Sequence, residues 1–222
     1  MRETIKKRLR QLSPMKIILL GFCLIILTGT LLLHLPIASK TPGNTSISDC
    51  FFTATSATCV TGLVRFDTYT HWTGFGQAVI LALIQIGGMG FMTFVVSIIS
   101  LTKRKIGLNT RVITQNSLSV PQVGGIVRLT KRVFVGTILF EAIGAGLLYF
   151  YFCPILGPLK GLWFSVFHSV SAFCNAGFDL MGSEQNQFAS LTGVADNVYF
   201  NVIIMLLIII GGLGFIVWND LA

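Results

Sequence analysis

Two glycine-containing motifs occur twice in this chain, in the same order each time. The first reads SATCVTG at residues 56–62 and returns as SAFCNAG at residues 171–177. The second reads IGGMGF at residues 86–91 and returns as IGGLGF at residues 210–215. The first pair is offset by 115 positions (171 − 56) and the second by 124 positions (211 − 87). Two motifs repeated in order indicate that one structural unit has been duplicated.

The segments around these motifs are apolar enough for a membrane. The chain is 53% hydrophobic and only 11% charged, and its mean hydropathy is +0.80. Windows of about 20 apolar residues, the length that crosses a bilayer, occur near residues 15–35, 75–101, 133–152 and 197–218. A signal peptide is the alternative for the first window, but its apolar stretch is too long and no small-residue cleavage site follows. We therefore predict an all-α polytopic membrane protein.

The positive charges predict the orientation. Residues 2–16 carry six of the sixteen Lys and Arg residues, and residues 103–132 carry seven. The positive-inside rule then places the N-terminus and the middle loop in the cytoplasm of a multi-pass protein of the cell membrane. Nucleic-acid binding is the rival explanation of the basic charge, and we disfavour it because these charges flank apolar spans instead of lying on one face of a soluble domain.

Between the first two windows, in residues 44–66, the apolar stretch 50–64 is too short to cross the membrane, yet too apolar for an exposed loop. Ser46 and Ser48 are candidate N-caps, and Asp49 complements the dipole of the first turn. We predict a short helix that ends near Ala57 and re-enters the membrane from one side.

The second copy has the same form. Gly157 and Pro158 break the third window, and Pro is favoured at a helix start. A second short helix is predicted from about residue 159 to about residue 173. Phe52 and Phe167 occupy matching positions, and each is predicted to pack into its helical bundle.

The SAxCxxG motif that ends each short helix predicts an ion path. Irregular backbone at membrane depth is tolerated where it lines a cavity, and backbone carbonyls can replace the hydration shell of a monovalent cation. Residues 58–63 contain no charged side chain, which disfavours a divalent-selective ring of carboxylates. The alternative is that Gly62 and Gly177 only form tight turns.

The other unusual residues receive simpler interpretations. We favour close helix packing over a hinge for the GGxG strings. Glu141 is the one acidic residue deep in a window, so it is a functional candidate, with pairing to Arg128, Lys131 or Arg132 as an equal alternative. The five cysteines do not suggest a disulfide scaffold, and no spacing suggests a metal site beyond the transported cation.

The paired motifs, the GGxGF strings and the basic N-terminal arm resemble the Trk/Ktr/HKT superfamily of potassium transporters. The resemblance is strongest to the membrane subunit of bacterial Ktr systems, and it covers essentially the whole chain. It implies two helix–pore-loop–helix repeats that resemble potassium-channel subunits. It also implies a selectivity filter formed by Val60, Thr61, Gly62, Asn175, Ala176 and Gly177, with support from Thr58, Cys59 and Cys174.

The resemblance also implies partners. Family members carry four such units and this chain carries two, so we expect either the N-terminal half of a longer protein or a pore completed by a second copy. A homodimer and a cytosolic nucleotide-binding regulatory subunit are implied by the resemblance alone. Potassium is the expected transported ion, and no bound cofactor or nucleic acid is expected.

These observations divide the chain into four parts. We expect a basic cytoplasmic arm (residues 1–14), a first unit (15–101), a basic connector with a short interfacial helix (102–132) and a second unit (133–222). The leading hypothesis is channel-like potassium uptake, in which this chain supplies two of four filter loops. The alternatives are a non-conducting fragment or membrane scaffold and, less favoured, an ion-coupled secondary transporter. No arrangement of Ser, His and Asp suggests an enzyme.

Overall fold

The fold is known here from a computed structural model that describes residues 14–41, 43, 45–90, 93–96, 112–115 and 126–213. The helices, labelled in chain order, are α1 (Pro14–Leu33), α2 (Ile47–Thr58), α3 (Thr68–His71), α4 (Gly74–Gly88), α5 (Ile126–Leu156), α6 (Pro158–Phe173) and α7 (Val198–Gly212). A 3-10 turn covers Ser190–Val194, and residues 93–96 and 112–115 are also helical. Within the described ranges there is no β-strand, only an isolated bridge between Ser39 and Trp72. The predicted helical class is confirmed.

Two described helices are long and apolar enough to cross a membrane, by length and composition. These are Met15–Leu33 in α1 and Leu129–Leu156 in α5. Only 22% and 33% of these windows are buried, whereas the core helix of a soluble protein would be covered on most sides. α1 also packs against α2 and α4, so it is an integral part of the bundle.

The other two predicted spans are described only in part. The apolar helices α4 and α7 are shorter than a full span. The second window continues to residue 101 and the fourth to residue 218, and residues 91–92, 97–101 and 214–218 of these windows lie outside the described residues. Most of the predicted connector, residues 102–132, lies outside them too.

Both short helices form where the sequence predicts them. The Ser46 hydroxyl caps α2 by accepting the backbone N–H of Asp49 at 3.2 Å, and it donates to the Asp49 carboxylate at 2.8 Å. α6 starts at Pro158, directly after Gly157, whose φ of 81° is in the region that favours glycine. At 12 and 16 residues, the two helices are roughly 18 and 24 Å long.

The two matched phenylalanines do not share one environment. Phe167 is fully buried, whereas Phe52 is 43% exposed. The prediction that each packs into its bundle is therefore correct for Phe167 and wrong for Phe52. The reason is position: α6 is surrounded by α4, α5 and α7, while α2 has α1 and α4 as its main neighbours.

The first glycine of each GGxG string packs against the end of a short helix. A Cβ atom at Gly87 would overlap the carbonyl oxygen of Thr58, the last residue of α2. A Cβ atom at Gly211 would overlap the carbonyl oxygen of Phe173, the last residue of α6. Close packing, the interpretation favoured from the sequence, therefore describes both glycines.

A second pair of glycines repeats in the same way, although the sequence motifs did not reveal it. A Cβ atom at Gly29 in α1 would lie 2.7 Å from a Leu83 methyl carbon, and one at Gly144 in α5 would lie 2.8 Å from a Leu207 methyl carbon. The two glycines differ by 115 positions (144 − 29) and the two leucines by 124 (207 − 83). The contacts thus follow the same two offsets as the sequence motifs.

We expect Gly87→Ala to destabilise the bundle, with Gly146→Ala as its control. Alanine in a helix is more favourable than glycine by about 1 kcal/mol, and a Cβ atom at Gly146 would meet nothing within 4 Å. Gly146→Ala should therefore be neutral or stabilising, whereas Gly87→Ala must push α4 away from the Thr58 carbonyl. The measurement is the fraction of monodisperse protein that survives heating in detergent. Equal survival of the two variants would contradict the close contact.

Candidate functional site

The two SAxCxxG motifs end in loops with the same backbone conformation. We call residues 59–62 the first loop and residues 174–177 the second loop. Val60 and Asn175 have φ angles of 54° and 56°, and Gly62 and Gly177 have φ angles of 73° and 72°. Positive φ is uncommon for residues other than glycine. Its recurrence at matching positions shows that each motif encodes one defined turn.

Matching hydrogen bonds hold each loop to the end of its helix. The backbone N–H of Thr61 donates to the carbonyl of Ser56 at 3.0 Å, and that of Ala176 donates to the carbonyl of Ser171 at 2.8 Å. Bonds of this kind satisfy carbonyls that the last turn of a helix leaves without partners. The turn in each loop is therefore fixed by backbone hydrogen bonds.

The two loops lie side by side. A Cβ atom at Gly62 would lie 2.8 Å from the carbonyl oxygen of Ala176 and 3.3 Å from the Cα of Gly177. In return, a Cβ atom at Gly177 would lie 3.3 Å from the Cα of Gly62. The structure thus brings together three of the six predicted site residues, and it shows that the pair of glycines meets backbone to backbone.

The remaining predicted site residues surround this contact. Thr61 and Asn175 are exposed, Val60 is half-buried and Ala176 is buried. The Thr61 hydroxyl shares a 2.9 Å hydrogen bond with the Ser56 hydroxyl, and the Asn175 amide donates to the carbonyl of Ile208 in α7 at 3.4 Å. Both side chains therefore brace the loops.

The three residues named as support have different surroundings. Thr58 is buried and its hydroxyl donates to the carbonyl of Ala54 at 2.7 Å. Cys59 is exposed, whereas Cys174 is partly buried against Gly88 and Glu141. All five cysteines are free. In the part of the chain that the structure describes, no group of three His, Cys, Asp or Glu residues is arranged to hold a metal ion.

The segment that follows the second loop is held by two side chains of α6 that sequence reasoning missed. The Ser171 hydroxyl donates to the carbonyl of Phe178 at 2.5 Å. His168 Nε2 accepts the backbone N–H of Leu180 at 3.3 Å, and both side chains are buried. The available signal was a row of polar residues on an otherwise apolar helix.

Asp67 connects the segments that follow the two loops, and its role was also missed. One carboxylate oxygen accepts the backbone N–H groups of Tyr69 and Thr70, at 3.1 and 2.7 Å. The other accepts the N–H of Phe188 at 3.1 Å. Gly182, which lies at the matching position in the second unit (182 − 67 = 115), packs directly on this carboxylate.

The Asp67 side chain is 6% exposed, so its carboxylate serves contacts inside the protein. Asp49 forms an ion pair with Arg65 at 3.4 Å. Nearby, burial lowers the pKa of His71, and the charge of Asp49 opposes this shift.

Glu141 lies in α5 and is also almost fully buried. Its carboxylate accepts two hydrogen bonds from the Gln85 amide of α4, at 2.9 and 3.1 Å, and contacts the Cys174 sulfur at 3.8 Å. Lys131 and Arg132 are exposed on the same helix, roughly 14–15 Å along its axis. The described contacts of the Glu141 carboxylate therefore favour Gln85 and Cys174 as its partners over the expected Lys131 and Arg132.

Comparison with known proteins identifies the family. Residues 16–222 match the family model of the cation transport protein TrkH. The chain belongs to the TrkH family. The members of this family are ion transporters rather than enzymes. Membership of the family supports a location of this chain in the cell membrane.

Several curated relatives cover nearly all of this chain. The potassium/sodium uptake protein NtpJ of Enterococcus hirae is 43% identical over 217 residues, which are 97% of this chain and 47% of the relative. The Ktr system potassium uptake protein B of Bacillus subtilis is 43% identical over 94% of this chain and 45% of its own length. The protein of the same name from Vibrio alginolyticus is 35% identical over 92% and 43%. The chain therefore spans a little under half the length of these relatives.

We expect Asp67→Ala to loosen the connection between the two units. The change leaves three backbone N–H groups without their acceptor, and such losses cost roughly 1–3 kcal/mol for a buried group. Asp196→Ala is the matched control, because Asp196 is an exposed aspartate of the α6–α7 connection. Thermal unfolding in detergent, together with protease cleavage between residues 183 and 197, measures the effect. An Asp67→Ala protein that behaves like the Asp196→Ala protein would contradict the connecting role.

Proposed function

We propose that this chain forms half of a potassium uptake pore and supplies two of its four filter loops. The observation that carries the proposal is the contact between the first and second loops, where Gly62 and Gly177 meet with φ angles of 73° and 72°. Two copies of one turn, packed side by side, are what successive units around a pore axis require. Membership of the TrkH family and relatives named for potassium or sodium uptake support the same function.

The ion would be coordinated by backbone carbonyls of Val60, Thr61 and Gly62 and of Asn175, Ala176 and Gly177. Backbone hydrogen bonds hold the turn of each loop, and no charged side chain lies within either loop. The carboxyl ends of α2 and α6 lead directly into them. Since the C-terminal end of a helix dipole is partly negative, both ends would favour a cation.

The rest of the pore would come from two further units, either in the remaining part of a longer protein or in a second copy of this chain. In this proposal, residues 1–14 form a cytoplasmic arm, 15–101 and 133–222 the two units, and 102–132 a cytoplasmic connector. The lipid bilayer would cover the exposed leucines of α1, such as Leu24 and Leu31. By resemblance to Ktr systems, a cytosolic nucleotide-binding subunit would regulate the pore from the connector side.

The exposed positions on α2 fit this arrangement. Cys59 and Phe52 are exposed. Their counterparts are covered: Cys174 packs against Gly88 of the neighbouring unit, and Phe167 is buried in the bundle around α6. In a ring of units, α2 would receive the same kind of cover from a neighbour that this chain does not supply. A scaffold that only contributes helices would not need matched loop conformations.

Rubidium uptake tests whether the chain conducts. We would express these 222 residues in cells that lack their own potassium uptake, and compare them with Gly177→Arg. An arginine at Gly177 would place a large cation at the contact between the loops and should abolish uptake. Uptake that vanishes in the variant supports a pore made by two copies. If membrane-inserted protein gives no uptake, the two-copy arrangement is wrong and the whole protein in which these residues occur must be tested.

Substitution of the loop glycines tests the filter itself. In the whole protein, Gly62→Ser should lower the ratio of potassium to sodium uptake by about tenfold, because a side chain at positive φ costs roughly 1–2 kcal/mol. Gly177→Ser should have a smaller effect, since its Cβ atom lacks the 2.8 Å carbonyl contact found at Gly62. Gly146→Ser, in open space, is the control. An unchanged ratio in Gly62→Ser would rule out these loops as the filter.

A further inference from the structure

Three side chains from three separate segments meet behind the second loop. Gln85 comes from α4, Glu141 from α5 and Cys174 from the first position of the second loop. The Gln85 amide donates to both Glu141 oxygens, and the Cys174 thiol donates to one of them. We call these residues the Glu141 cluster.

The cluster adjoins a close contact between the two units, where Gly88 of α4 packs on Cys174. A Cβ atom at Gly88 of α4 would lie 2.5 Å from the Cys174 sulfur and 2.7 Å from its Cβ. The Ser169 hydroxyl of α6 donates to the backbone carbonyl of Glu141 at 2.7 Å. The Glu141 side chain therefore contacts Gln85 of the first unit and Cys174 of the second. Its backbone carbonyl is bonded to Ser169, which also belongs to the second unit.

The duplicated unit does not account for this cluster. At the offsets that relate the two units, the counterparts are Ile26 for Glu141 (141 − 115), Ile209 for Gln85 (85 + 124) and Cys59 for Cys174 (174 − 115). Two of the three positions are thus apolar in the other copy. A buried carboxylate is costly in an apolar environment unless it is hydrogen-bonded, so Glu141 requires Gln85 and Cys174 as partners, whereas isoleucine at the counterpart position requires none.

The position of Cys174 explains what the cluster can control. Cys174 is the C-cap of α6, where its backbone N–H donates to the carbonyl of Val170 at 2.9 Å. The next residue, Asn175, has the positive φ angle that starts the turn of the second loop. A shift of Cys174 relative to α4 would therefore move the carbonyls of residues 175–177.

We propose that Glu141 is a positioning residue that holds the second loop against α4 through Gln85 and Cys174, and so maintains ion preference. The proposal deepens the pore function and rests on it. It predicts that Glu141 acts by hydrogen bonding, with glutamine able to replace it. Glu141→Gln retains an acceptor for the Gln85 amide, whereas Glu141→Ala retains none.

The first test measures the position of Cys174 without measuring transport. In a protein whose only cysteine is Cys174, a small membrane-permeant thiol reagent should react about tenfold faster after Glu141→Ala, the factor that corresponds to the loss of one buried hydrogen bond. Reaction in Glu141→Gln and in the matched variant Ile26→Ala should stay close to the parent. An unchanged rate in Glu141→Ala would overturn the proposal. Equal acceleration in Glu141→Gln would also overturn it, because loss of negative charge would then explain the reactivity.

The second test measures ion preference in the whole protein at equal membrane abundance. The ratio of rubidium to sodium uptake should fall by about tenfold in Glu141→Ala, the factor for one lost hydrogen bond, and it should be retained in Glu141→Gln and Ile26→Ala. A purely structural role would lower abundance in Glu141→Ala and Ile26→Ala alike and leave both ratios unchanged, which would refute the claim about preference. If the parent protein takes up no rubidium, the pore function fails, and the reaction rate of Cys174 still decides whether Glu141 positions the loop.

Discussion

The carbonyl groups that end α2 and α6 lie against Gly87 and Gly211, at distances that leave no room for a methyl group. A helix leaves its last carbonyls without intrahelical partners, and in an apolar environment the neighbouring backbone must be arranged around them. Because α4 and α7 present glycine at these points, they approach the helix ends closely. This approach decides where the first and second loops begin, and thus where the two loops can meet.

From these helix ends, the chain turns back through residues at positive φ and bonds to the last turn it has just left. The conformation is therefore local to each motif, and it needs no ion pair or disulfide bond. In the proposed pore, a neutral, backbone-held loop would suit a monovalent cation, since fixed carboxylates would favour divalent ions. Fold and proposed ion binding thus depend on the same short stretch of sequence.

The two units share this framework but differ in what surrounds it. α6 lies among three helices and carries buried polar side chains, including His168 and Ser171, that hold the segment after the second loop. α2 lies at the edge, so Phe52 is exposed although its counterpart Phe167 is buried. Asp67 and Glu141 add contacts across the two units that have no equivalent in the duplicated pattern. The repeated motifs therefore account for the loops, and the residues that differ between the two units account for how the units are joined.

Much of this could be predicted from the sequence, because the information is local. Hydropathy predicts apolar helices, Ser46 and Pro158 mark where the short helices begin, and the repeated motifs locate both loops. Those features depend on residues a few positions apart. The partners of Glu141 and Asp67 could not be predicted, since Gln85 lies 56 positions from Glu141 and Phe188 lies 121 positions from Asp67. The sequence by itself determined the repeated turns and the membrane character of the chain. Only the tertiary structure decided which glycines touch and which carboxylates connect the units, because those contacts exist only once the two units have packed together.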